Sequence, residues 1–184
     1  HIVVRRQRQM CIRDRPSTHE RPPLGLDMDD DGGQIPSPSS SVEEKQLFLH
    51  ENMVNFVNQY SQPIIEVSLV VSKYIRIILE KLQETASLSD ETLPVEILSP
   101  RELQLIDESP ILDSFPLERV LESVDQDRMD ILDTIVRTVL NETELPFLSA
   151  LAVLRDWEYV TRSQLSKATS PGHLFSPIQL PEDF

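Results

Sequence analysis

Between Ile64 and Leu82 the chain places Ile64, Ile65, Val67, Leu69, Val70, Val71, Tyr74, Ile75, Ile77, Ile78, Leu79 and Leu82 in a run without proline or glycine. Glu66, Lys73, Arg76, Glu80 and Glu84 fall along one narrow stripe at helical spacing. The segment from about 63 to 84 therefore reads as a helix that is apolar over most of its circumference. Such a helix needs cover on most sides, supplied either by the rest of the chain or by a partner. It does not read as a membrane span, because Glu66, Lys73 and Arg76 interrupt it before the roughly 18 uncharged residues a span requires.

The flanking sequence organises around that helix. Ser41-Val-Glu-Glu44 fits a capping box and opens a helix over about 42–60, with Leu47, Leu49, Met53, Val54, Phe56, Val57 and Tyr60 on its apolar side. Pro63 suits the first turn of the next helix. Residues 42–86 thus predict an apolar helical hairpin. Residues 87–114 form an acidic linker, in which Ser99-Pro100-Arg101-Glu102 predicts the capped start of a short helix ending near Ile106. In 115–184, periodic apolar residues predict helices at about 117–124, 126–141 and 145–157. The fold class is mainly α.

The last stretch admits two readings. Glu158–Gln164 and Leu174–Leu180 can form a short β-hairpin, giving helices followed by two strands, the order of a winged helix. Alternatively, Thr161–Gln164 caps a short helix over 161–168. The residues fit both. Residues 1–41 are expected to be disordered, since 16–41 are rich in Pro, Ser, Asp and Gly and cannot bury enough apolar surface to offset chain entropy. Within them, residues 5–15 resemble translated sequencing-adapter read-through, so 1–15 are read as foreign to the native protein. Met28 is a candidate start, or the chain is the end of something longer.

Composition narrows the chemistry. A formal net charge of −14 opposes direct binding to DNA or RNA, which needs a basic surface to displace counterions. It opposes an anionic membrane surface equally. Cys11 is the single cysteine, which excludes an intrachain disulfide and a thiolate zinc site. Residues Asp27–Pro38 imitate the opening of a calcium loop, yet Pro38 stands where a bidentate glutamate is needed. His1, His19, His50 and His173 have no second ligand at helical spacing. No nucleophile elbow, phosphate-binding glycine loop or dinucleotide fingerprint occurs. The expectation is a non-enzymatic protein, without cofactor or metal, in an intracellular compartment, cytoplasmic or nuclear.

Its partners are then other protein subunits, engaged as a helix in a groove or within a helical bundle. The candidate partner-binding residues are Ile64, Ile65, Leu69, Tyr74, Ile75, Ile78 and Leu82 of the apolar helix, with Phe147, Leu151 and Trp157 further on. Five Ser-Pro dipeptides occur, at Ser37, Ser99, Ser109, Ser170 and Ser176. Ser99 reads as a helix cap, whereas Ser37, Ser109 and Ser176 are candidates for phosphorylation. The terminal Leu180–Phe184 is either a docking tail or a frayed end.

One family is similar in residues 145–184. Phe147-Leu-Ser-Ala-Leu151-Ala-Val153-Leu154-Arg155, then Val160 and Gln164, then Phe175-Ser-Pro-Ile178 and Pro181…Phe184 resemble the C-terminal winged-helix segment of kleisins. These subunits, of cohesin- and condensin-type complexes, bridge the ATPase heads of chromosome-organising SMC proteins. The resemblance implies a terminal strand pair and an SMC-type ATPase head as partner, rather than DNA. It covers under a quarter of the chain, and residues 42–86 carry no kleisin N-terminal motif.

Overall fold

Ser41 sits in extended backbone and its hydroxyl accepts the Glu44 amide at 3.1 Å, which starts α1, Val42–Gln59. The computed structural model describes residues 34–103, 116–182 and 184. The expectations for residues 1–33 and for Ser109 lie outside them. Six further helices follow among the described residues: α2 Ile64–Leu88, α3 Val95–Leu98, α4 Leu117–Ser123, α5 Gln126–Thr143, α6 Phe147–Leu165 and α7 Pro171–Leu174. Pro63, Pro94, Pro116 and Pro146 occupy the N-cap positions of α2, α3, α4 and α6. A ring-locked φ and a missing N–H suit proline to a helix entrance. Asp125 caps α5 through the Arg128 amide at 3.1 Å.

Residues Ile35–Phe184 form one compact unit. Its core takes Leu49, Met53 and Val57 from α1, and Val67, Val71, Ile75 and Ile78 from α2. Leu132 and Val136 enter from α5, and Leu154 and Trp157 from α6. The spacings are helical, as expected. The pairing is not. α1 packs on α5 and α6, α2 packs on α6 and α5, and α1 and α2 make no extensive contact with each other. The order around the core is therefore α1–α5–α2–α6, with consecutive helices lying diagonally. The predicted two-helix hairpin over 42–86 is corrected on this point, and the cover over α2 comes from the second half of the chain.

The C-terminal β-hairpin is absent. Glu158–Leu165 continues α6, because Trp157, Val160 and Thr161 keep facing the core at helical spacing. The backbone groups that a hairpin would pair go elsewhere. Ile64 N–H donates to the Ser176 carbonyl and Ile178 N–H to the Gln62 carbonyl, both at 3.0 Å. These bonds flank an isolated antiparallel bridge between Pro63 and Pro177. The Gln164 side-chain amide clasps Gln179 at both its carbonyl, 2.6 Å, and its N–H, 3.0 Å. One amide side chain thus stands in for the neighbouring strand.

Two more expectations change. Residues 35–41 lead into α1 in an ordered turn, with the Ser40 amide bonded to the Ser37 carbonyl and Lys45, 4% exposed, donating to the Pro38 carbonyl at 2.7 Å. Ser99 does not start a helix; it is the C-cap that ends α3. Pro94 opens that single turn, and Pro100 forbids the helical conformation at Ser99, which stays extended at φ −82°, ψ 140°.

Candidate interaction surface along α6

The outer side of α6 carries a strap. Arg155 donates to the carbonyls of Ile97 and Leu98 at 3.1 and 3.0 Å, and Arg162 donates to the Arg101 carbonyl at 2.9 Å. Arg101 in turn reaches Asp156 at 2.6 Å and lies 5.3 Å from the ring centre of Tyr159. Positions 155, 156, 159 and 162 recur at helical spacing, so one face of α6 binds the end of α3 and the residues that follow it, 97–101. Glu158 steadies the arrangement by accepting from Arg155 at 2.6 Å.

Cavities open on both sides of the strap, and Arg101 lines each. The larger, about 410 Å³, lies between Glu96, Ile97, Ser99 and Pro100 on one bank and Leu148, Leu151, Ala152 and Arg155 on the other. The smaller, about 340 Å³, is lined by His50, Asp156, Tyr159, Val160, Pro181 and Phe184. Leu148, which lines the larger one, is 53% exposed; its neighbour Phe147 in the first turn of α6 is 48% exposed, and Val95, which precedes the lining residue Glu96, is 68% exposed. Large apolar side chains left in water next to groove-lining residues mark a candidate interaction surface.

The predicted partner residues divide sharply. Ile64, Tyr74, Ile75, Ile78, Leu151 and Trp157 are buried in the chain's own core. Leu82 is half-buried against that core, Ile65 packs on a small second cluster with Val120, Ala168 and Leu174, and Leu69 is half-buried. Phe147 alone among them offers much of its ring to solvent. Leu148, Arg101 and Arg155 were not singled out from sequence. Leu148 reads as one more core position in an apolar run, and nothing local to the arginines reveals that Arg155 reaches the Ile97 and Leu98 carbonyls or that Arg101 reaches the Asp156 carboxylate.

The tail is not frayed. Phe184 rests 4.8 Å from the His50 ring and 5.0 Å, edge-on, from Trp157. Of the phosphorylation candidates, Ser37 is exposed with its hydroxyl 2.8 Å from that of Ser39, whereas Ser176 lies within the bridge to the α1–α2 junction.

Two polar groups tie the interior. Glu66, fully buried on α2, accepts from Arg128 Nε and Nη2 at 3.1 and 2.8 Å and from the Asp125 amide at 2.9 Å. Its carboxylate in turn raises the Arg128 guanidinium above its ordinary value through these hydrogen bonds. Tyr74 donates to the Asp133 carbonyl at 2.9 Å, and Lys73 pairs with the Asp133 carboxylate. Burial first, then the negative charge of Asp133 and the hydrogen bond, hold the Tyr74 phenol well above its usual range.

Among the described residues no group of three or more His, Cys, Asp and Glu is placed to hold a metal ion, and no helix is long and apolar enough to cross a membrane. No protein-family model matches the chain, no curated protein matches its sequence, and no solved structure matches its fold.

Proposed function

We propose that this protein is a non-enzymatic helical adaptor that holds another protein subunit against the outer side of α6. The observation that carries the reading is exposed Leu148 lining the 410 Å³ groove, with exposed Phe147 and Val95 next to its lining residues in the chain. The fold has covered most of the apolar residues of α2, Ile77 excepted, so these side chains, rather than the buried Ile64, Tyr74, Ile75 and Ile78, are apolar surface left to offer. Buried aromatic and aliphatic anchors dominate binding energy at interfaces, and a shallow groove floored by Leu151 and Ala152 suits a short apolar helix or loop. With a net charge of −14 on the chain, a partner with basic residues around that apolar segment is attracted from a distance.

A photo-crosslinking residue in place of Phe147 in the full chain tests this in cells. The expected result is a crosslink to one protein at position 147, lost in the presence of Leu148→Asp, with none at the equally exposed Leu47 on α1. Equal labelling at 147 and 47 overturns the proposal.

The kleisin resemblance supports a second reading, a subunit that bridges SMC-type ATPase heads. It called for strands within 158–180, a stretch that α6 and α7 largely occupy, so it now rests on the quoted residues alone. Binding of the full chain to a purified SMC-type head domain decides it.

A further inference from the structure

The four Ser-Pro dipeptides among the described residues sit in different surroundings. Ser176 is fastened on both sides: its amide reaches the His173 carbonyl and its own carbonyl accepts from Ile64. Ser170 precedes α7 and its carbonyl accepts from His173. Ser37 lies in a turn whose next carbonyl is held by buried Lys45. Ser99 alone combines three properties: it is exposed, its backbone is extended, and its hydroxyl makes no hydrogen bond among the described residues. Ser170 shares the extended backbone and unbonded hydroxyl but is half-buried, and the exposed Ser37 has its hydroxyl against that of Ser39. A kinase that requires proline after the acceptor binds its substrate extended, because proline itself excludes the helical conformation at the preceding residue. Ser99 already has that shape.

We propose that Ser99 is a phosphoacceptor for a proline-directed protein kinase and that Arg101 holds the phosphate once it is added. The serine Oγ forms a bond to the γ-phosphorus of ATP while the bond to the β–γ bridging oxygen breaks. ADP leaves with that electron pair, and the hydroxyl proton passes to the catalytic carboxylate of the kinase. The product carries close to two negative charges and three acceptor oxygens. Ser99, Arg101 and Arg155 line the same groove. Arg155 is committed, with a side chain 13% exposed and bonds to Glu158, Ile97 and Leu98. Arg101 is free to turn: its ion pair with Asp156 joins side chains 57% and 49% exposed, and such surface pairs hold weakly. A phosphate dianion two residues away outcompetes a solvated carboxylate for the guanidinium. Glu96, on the same bank as Ser99, is the carboxylate that lines this groove.

The acceptor does not depend on the adaptor reading. The test incubates the full chain with a purified cyclin-dependent-type kinase and ATP, and follows each Ser-Pro site by mass spectrometry. Faster modification at Ser99 than at Ser37, Ser170 or Ser176, and its loss in Ser99→Ala, is expected. Modification of those three with Ser99 untouched overturns the proposal. For the second half, a phosphorus NMR titration of the modified protein reads the second ionisation of the phosphate. It is expected to fall below the ordinary value of about 6, and Arg101→Gln is expected to restore it; a midpoint indifferent to Arg101→Gln refutes the capture.

Discussion

Replacing Arg128 by alanine isolates the strongest polar tie in the fold. Glu66 is fully buried and receives three hydrogen bonds, two of them from Arg128 and one from the Asp125 amide. The alanine variant leaves a buried carboxylate with one donor. Removing one partner of a buried ion pair costs about 3–5 kcal/mol. The Arg128 side chain is 33% exposed, so water replaces part of what is lost, and about 3 kcal/mol is the expected cost. For a unit of this size that corresponds to a fall in Tm of about 6–12 °C. Urea unfolding followed by helix circular dichroism and by the fluorescence of Trp157, the single tryptophan, measures it. A paired substitution, Glu66→Leu with Arg128→Ala, is expected to recover much of the loss, since no charge then remains buried. A loss below about 1 kcal/mol in the single variant, or a paired variant worse than the single one, refutes the reasoning.

Three further outcomes follow from other residues. Gln62 is fully buried and neither atom of its side-chain amide has a hydrogen-bond partner. Gln62→Met, which keeps the length and removes the polar atoms, is expected to leave stability unchanged or raise it by about 1–2 kcal/mol in the same urea assay. Glu144 closes α5 in the left-handed region at φ 51°, so Glu144→Gly is expected to raise Tm, by about 0.5–1 kcal/mol of stability. The phenol of Tyr74 is held above its ordinary value, so the unfolded chain releases that proton first as pH rises. The tyrosine's contribution is complete below about pH 10 and is lost above it. The stability difference between wild type and Tyr74→Phe is expected to shrink between pH 9 and pH 11; a constant difference sinks the assignment.

Much of the local structure was legible in the chain. Ser41 named the start of α1, the apolar run named α2, and the spacing of Leu132, Val136 and Val139 named α5. Three things were not. The alternation of Glu158–Gln164 imitates a strand, and only the burial of Val160 and Thr161 against a neighbouring helix reveals a helix. Ser-Pro-Arg-Glu at 99–102 reads as a helix start, yet the same Ser-Pro pair ends a turn when Pro94 has opened one just before it. The pairing order was hidden because an apolar face states that cover is required without naming what covers it. The same gap bears on the partner residues expected from the sequence. Most apolar residues between Ile64 and Leu82 pack into the chain's own core, while Phe147 and Leu148 stand at the surface in the first turn of α6, just after its cap Pro146.

The diagonal placement of consecutive helices has a consequence for synthesis. While α1 and α2 have been made and α5 and α6 have not, the first two lack their mates, because every extensive contact each makes among the described residues is with a helix encoded later. Assembly waits for α6, so the contacts that define the fold span long sequence separations and form slowly. A nascent chain cut short before Trp157 bares the oiliest stretch of the molecule to whatever holdase or neighbouring polypeptide is at hand.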